Sequence, residues 1–474
     1  MNAQFDTPLA FGIDAATGRP LEAPVNGLDP ASMRQQEALM RAKSGDRDGL
    51  KSYGLSFDVD PDQLAEAGWG LIVAADVDPA GYVDALNELL TWRQAEAGNR
   101  YRVFSGPDGY RAGERAITWL ERNGASLNQI DPEHGVPFYL AIVGPPSEIP
   151  FEFQYSLDIV AGVGRLDFRT LDQLRAYAHS VVTFERDRSR TTRRRVDLFA
   201  TWHDFDRATQ LFTEQVAQPF VAGTASRPPL GNKYGFAVRG YLREQSTKAS
   251  LATILQGRDG PPSILFTGSH GMAFPYGDAR QAQHQGALVC GDWPGYGTIS
   301  DAHWFSADDV PTDADVHGMV HFFFACYGLG TPEYDNFQFK PPVPRIAENA
   351  STARLPQTLM SLPNGGVLAS LGHIDRAWAS SFRSSRGVAQ SQGFRDVLGR
   401  LMVGQRVGYA TDQFNSQWGV IGTELINKLD DREHGKQVPD AELLALRIAR
   451  DDCRNYVVLG DPAVKLRPEQ APRG

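Results

Sequence analysis

Two short strings in the sequence carry side chains able to act on a carbonyl carbon. They are Ser269-His270-Gly271 and Ala325-Cys326-Tyr327-Gly328, with the thiol 56 residues downstream of the imidazole. Each follows an apolar run of strand composition, Ile264–Thr267 and Met319–Ala325. In open parallel sheets, reacting groups collect beyond the carboxyl ends of the strands. A thiolate is a nucleophile; an imidazole beside it can take its proton, hold it as an ion pair, and later protonate a leaving amine. Glycine after the histidine lets backbone approach a substrate closely, so the N–H groups of Gly271 and Cys326 could donate together to an oxyanion. The expected chemistry is covalent acyl transfer, with Cys326 as nucleophile and His270 as general base.

A cysteine after an apolar run is ordinarily a small buried hydrophobe. The pairing with His270-Gly271 and with Gly328 is what singles out Cys326; Cys290 and Cys453 have no such neighbours and read as structural. Three scattered cysteines form neither a disulfide framework nor a Cys-x-x-Cys zinc site, and they fit a reducing compartment. His284, His303, His317 and His321 lack the His-x-x-x-His spacing of a helical metal site, so no metal is expected. Gly162-Val163-Gly164 and Gly328-Leu329-Gly330 lack the third glycine of a dinucleotide fingerprint, so no cofactor is expected either.

Short apolar runs separated by amphipathic stretches position these residues. Gly70–Ala75, Phe138–Val143 and Asp158–Leu166 form a first set, with helices over Tyr82–Ala97 and from Thr170 to Glu185. After the charged segment Arg186–Arg195 the alternation restarts with Val196–Ala200, a helix over Ala208–Val221, Ile264–Thr267, Met319–Ala325, Gly366–Leu371 and Tyr456–Leu459. Such a pattern predicts α/β architecture with a mostly parallel sheet buried on both faces. The expected organisation is an extension or pro-segment over residues 1–55, containing a short helical stretch at Ser32–Ala42, an α/β subdomain over 56–190, and a catalytic domain over 191–474.

With 474 residues, 42% hydrophobic and 22% charged, the chain has the composition of a globular enzyme. A net charge of −10 provides no basic surface for a phosphate backbone, which excludes nucleic acid as an expected partner. No apolar stretch reaches membrane-spanning length and the N-terminus lacks a cationic start before an apolar run, so a cytoplasmic, non-membrane protein is expected.

The interval from His270 to Cys326 agrees with the caspase arrangement, in which the histidine lies about 50 residues upstream of the cysteine. The sequence resembles the caspase-like superfamily of cysteine peptidases, and within it the gingipain-like family. Ala325, Cys326 and Gly328 match the caspase string Gln-Ala-Cys-[Arg/Gln/Gly]-Gly, while Phe324 and Tyr327 depart from it. Further likeness lies in IVGPPSEIPF (Ile142–Phe151), VGRLDF (Val163–Phe168), LGHIDRAW (Leu371–Trp378) and LGDPAVKL (Leu459–Leu466).

The resemblance implies a caspase-like α/β/α sandwich and a cysteine endopeptidase acting on protein substrates through a His270–Cys326 dyad without a cofactor. It implies that Trp378 lines the pocket for the residue before the scissile bond. Family members that cut after Arg or Lys place an acid where this chain has Phe324, so a basic preference would need another carboxylate. Asp375 is the first candidate, with Asp292 and Asp301 behind it; without one, Trp378 and Phe324 would form an apolar pocket. The resemblance also implies regulated proteolysis of the kind used in bacterial defence or cell death. An upstream activating protease is the expected second partner, and Arg186–Arg195 and Tyr327–Pro356 are the expected places for a cut. The alternative is a catalytically silent scaffold or binding protein, against which the joint presence of His270, Gly271, Cys326 and Gly328 speaks.

Overall fold

The computed structural model describes residues 8–22, 54–56, 58–126, 130–189, 192–338 and 342–468. Its strands are β1 (Gly12–Asp14), β2 (Trp69–Ile72), β3 (Tyr101–Phe104), β4 (Tyr139–Val143), β5 (Gly162–Leu166), β6 (Arg193–Ala200), β7 (Ala237–Leu242) and β8 (Pro262–Gly268). They continue with β9 (Gly271–Ala273), β10 (Leu288–Val289), β11 (Trp304–Phe305), β12 (Val320–Phe324), β13 (Gly330–Thr331), β14 (Ser351–Thr352), β15 (Ala369–His373) and β16 (Tyr456–Gly460). The helices that matter below are α1 (Ala80–Ala97), α2 (Leu171–Arg186), α3 (Arg207–Phe212), α4 (Gln392–Met402), α5 (Asp412–Glu433) and α6 (Asp440–Arg454).

A ten-stranded sheet with the order β3-β2-β4-β5-β16-β15-β12-β8-β6-β7 forms the centre. Strings such as YLAIV in β4 and VHFFF in β12 are buried at every position, as strands covered on both faces must be. Neighbouring strands are parallel except β15 and β16, and β16 is parallel to β5 on its other side. The two halves of the sheet therefore run in opposite directions, with their carboxyl ends at opposite edges. The restart of the sequence pattern near residue 191 corresponds to the passage from one half to the other within one continuous sheet.

At the His–Cys end the core is aromatic: Phe266 stacks on Phe322 at 4.8 Å between centroids, and Phe394 of α4 meets Phe324 at 5.5 Å. Each such side chain, fully buried, stabilises by about 1.5–3 kcal/mol. A second sheet, β1-β9-β10-β11, is built from the loop following β8 and from the N-terminal segment, whose β1 pairs in parallel with β9. Of the expected pro-segment, residues 8–22 are thus a strand and turn packed on the molecule, and Phe11 and Ile13 are fully buried. The expected helix at Ser32–Ala42 lies outside the described residues.

Of the two segments expected to carry a cut, the first ends α2 at Arg186 and enters β6 at Arg193, where Arg195 forms a buried ion pair with Asp197 (2.6 Å). The second contains the β13–β14 ribbon. Among the described residues no helix is long and apolar enough to cross a membrane.

Candidate active site

Strands β8 and β12 are parallel neighbours in a register that sets Gly268 opposite Phe324. His270 and Cys326, two residues beyond each, therefore emerge side by side at one sheet edge. The Ser269 N–H donates to the Phe324 carbonyl across the gap (3.2 Å). Gly271 lies so close to the cysteine backbone that a Cβ there would stand 1.9 Å from the Cys326 carbonyl oxygen, which only glycine avoids. The Gly271 and Cys326 N–H groups, expected as oxyanion donors, converge on a single acceptor. Both donate to the carbonyl oxygen of Phe11, at 2.9 and 2.8 Å.

The His270 imidazole is fully buried, and its Nε2 lies 2.8 Å from Oδ2 of Asp206. A carboxylate only accepts, so Nε2 is the donor of this pair. Nδ1 is buried and has no hydrogen-bond partner. Asp206 caps the N-terminus of α3, accepting from the N–H groups of Ala208 (3.3 Å) and Thr209 (3.0 Å). Burial works against its ionisation, but the adjacent His270 and the Thr209 hydrogen bonds outweigh it and hold the carboxyl well below the usual range.

The Cys326 side chain is fully buried; its sulfur accepts from the Ala377 N–H (3.3 Å), and no hydrogen bond joins it to His270. Burial pushes this thiol up, against the pull of the Ala377 hydrogen bond and the Arg376 charge. The cover is the N-terminal segment: a Cβ on Gly12 would stand 2.8 Å from the Cys326 sulfur. Cys290 and Cys453 are buried too, and burial raises both.

Phe324 forms one wall of an aromatic chamber with Phe212, Phe382 and the His270 ring, around the side chain of Phe11. Gly268 makes room for that chamber, because a Cβ there would meet the Phe212 ring at 2.0 Å. The Trp378 ring faces elsewhere, against Phe337 at 5.2 Å, although its backbone bridges to Ala10. Asp375 is fully buried beside the site, but its carboxyl accepts from the backbone N–H groups of Asn336 (3.3 Å) and Arg376 (2.7 Å) and from the Arg376 guanidinium (3.4 Å). Burial outweighs these hydrogen bonds and pushes it up to about 7. Its backbone adopts a left-handed φ of 74° and accepts from the Tyr327 N–H (2.7 Å), which ties it to the loop behind Cys326. Asp292 accepts from the Lys248 N–H at the surface, and the Asp301 carbonyl accepts from the Lys248 ammonium.

Two acids absent from the sequence reading matter here. Asp206 is one; in the string HDFD it is indistinguishable from Asp204 until the cap of α3 is seen. The other is Asp452 of α6, fully buried, which accepts from His373 Nε2 (2.9 Å), the Trp378 N–H (3.0 Å) and the hydroxyls of Ser380 (2.8 Å) and Ser381 (2.7 Å). It fixes the segment 377–381 that borders the cysteine, extended at Trp378 and turning into a 3-10 helix over Ala379–Ser381. No group of three or more His, Cys, Asp or Glu among the described residues is placed to hold a metal.

No protein-family model matches the chain, and no curated protein matches it. Among solved structures, the chain is similar to the Arg-specific cysteine proteinase gingipain R (TM-score 0.43, 11% identity, 85% of this chain and 79% of that one). It is similar to a complex of the pro- and mature domains of Porphyromonas gingivalis RgpB (0.45, 14%, 84% and 80%). It is also similar to the Saccharomyces cerevisiae separase–securin complex (0.34, 10%, 70% and 16%). The mixed α/β architecture around a large, mostly parallel sheet stands on the strand order of this chain itself.

Proposed function

We propose that this chain is a cysteine endopeptidase in which Cys326 attacks the scissile carbonyl and His270 Nδ1 serves as base and then as acid. Asp206 holds the imidazole in the tautomer that leaves Nδ1 free, as the third member of a nucleophile–base–carboxylate array does. The observation that carries the reading is the convergence of the Gly271 and Cys326 N–H groups on one carbonyl oxygen, the geometry a tetrahedral oxyanion requires. Both donors are backbone groups fixed by strand ends, so they need no reorganisation during reaction.

Regulation belongs to the same reading. With Gly12 over the sulfur and the thiol raised by burial, the described state is closed. Activation requires that the N-terminal segment be cut or displaced, by an upstream protease or by the chain itself. The same closed thiol is what a silent scaffold would display. The two readings separate when a proteome is incubated with the protein and new peptide termini are compared between wild type and Cys326→Ala. A peptidase generates termini that the variant does not; a scaffold generates none with either.

A further inference from the structure

We propose that Leu9–Gly12 lies in the cleft as a tethered substrate, that the cleft accepts peptides with a large aromatic residue before the scissile bond, and that Phe11–Gly12 is the first bond the enzyme cuts. This rests on the peptidase reading above and names its substrate class and its control.

The backbone of the segment is held at every point a peptide substrate would use. The Phe11 N–H donates to the Ala377 carbonyl (2.8 Å), and the Leu9 carbonyl accepts from the Ala379 N–H (2.9 Å), so residues 9–11 run as an added antiparallel strand along 377–379. On the other side β1 continues along β9. Between these two pairings the Phe11 carbonyl oxygen sits on the two oxyanion donors, and Gly12 lies against the sulfur. The Phe11–Gly12 peptide thus lies over the nucleophile with its carbonyl already polarised. Next to Pro8 and Leu9 a cavity of about 500 Å³ continues the cleft, bordered by Ala379, Ser380, Leu446 and Ala449, with room for a longer substrate upstream of the cut.

The side chain states the preference. The Phe11 ring is fully buried, 4.7 Å from Phe324, 5.8 Å from Phe382, 5.9 Å from Phe212 and 5.8 Å from the His270 ring. Three edge-to-face contacts with phenylalanines suit an aromatic guest. The nearby carboxylates are already engaged: Asp206 is held by His270 Nε2 and by the cap of α3, and Asp375 by two backbone N–H groups and the Arg376 guanidinium. A guanidinium or ammonium in this chamber would be a buried charge without a partner.

The chemistry balances with water as co-reactant. The Cys326 sulfur bonds to the Phe11 carbonyl carbon as its proton passes to His270; the C–N bond breaks as that proton moves to the Gly12 nitrogen. Water then cleaves the thioester, giving a Phe11 carboxylate and a free thiol.

The test is N-terminal sequencing of the purified full chain together with the residue preceding each new terminus in the proteome digest. Wild type should begin at Gly12 while Cys326→Ala keeps the Phe11–Gly12 bond. New termini should follow Phe, Tyr or Trp over Arg and Lys on the order of 100-fold. Termini after Arg, Lys or Asp, or an intact Phe11–Gly12 bond in an active enzyme, would overturn the inference and leave the peptidase reading standing. Absence of any Cys326-dependent terminus would overturn both.

Discussion

Asp206 does two jobs with one carboxylate, capping α3 and fixing the His270 tautomer. Asp206→Asn keeps the shape but can present its amide to Nε2, favouring the wrong tautomer. Turnover should fall by roughly 10²–10⁴-fold, with KM changed far less. Because its folded value is depressed, the carboxyl contributes stability that is complete above the unfolded value of about 4 and is lost as pH falls toward the folded value. Urea midpoints should show that Asp206→Asn is less stable than wild type at neutral pH, the gap narrowing below about pH 4. Gly271→Ala tests the neighbouring donor. Its Cβ would displace the Cys326 carbonyl, and an oxyanion donor lost in this way costs about 10²–10³-fold in kcat, read beside an unchanged far-ultraviolet spectrum. Asp375→Asn should leave the preference before the scissile bond unchanged in a peptide-library assay, because that carboxyl is engaged by two backbone N–H groups and the Arg376 guanidinium.

At the scale of elements, the segment 377–381, proposed above as the rail for a substrate backbone, is held by Asp452 of α6. Asp452→Ala leaves the Trp378 N–H, two hydroxyls and the His373 ring without their acceptor, a loss of about 3 kcal/mol. A lowered denaturant midpoint and a raised KM should appear together, since the rail loosens as the protein does. The buried elements were legible in the sequence for a physical reason: β4, β8, β12 and β16 are covered on both faces and read as apolar strings, whereas β15, with the sequence ASLGH, lies three residues beyond the start of the run expected at Gly366–Leu371. The edge strands were not. In β3 and β7 the sequences YRVF and AVRGYL alternate with solvent-facing residues and their burial is partial, so no apolar run marks them. The second sheet escaped for another reason: β9, β10 and β11 are two or three residues long and exist only because the loops after β8 and the N-terminal segment pair with one another. His270, Gly271 and Cys326 were legible because they follow recognisable strands. Asp206 and Asp452 were not, because their roles depend on partners 64 and 71–79 residues away in sequence.

At the scale of the molecule, the two oppositely directed half-sheets meet at β16, and a buried ionic network secures the junction. Arg93 of α1 bridges Asp461, immediately after β16 (2.6 Å), and Glu185 of α2 (2.7 Å). Arg93→Leu would strand two carboxylates in the interior and should cost about 3–5 kcal/mol, seen as a shifted chemical denaturation midpoint. The junction matters for function because β15, paired to β16, leads into the rail that faces Cys326. The whole arrangement converges on one claim, that the Cys326 sulfur becomes covalently acylated during peptide hydrolysis. The most direct measurement is acid quenching of the enzyme during turnover of a cleaved peptide, followed by mass mapping of the acyl group. A thioester is expected on the peptide containing Cys326, and none in Cys326→Ala. Sustained turnover by Cys326→Ala, or an acyl group on another residue, would contradict it.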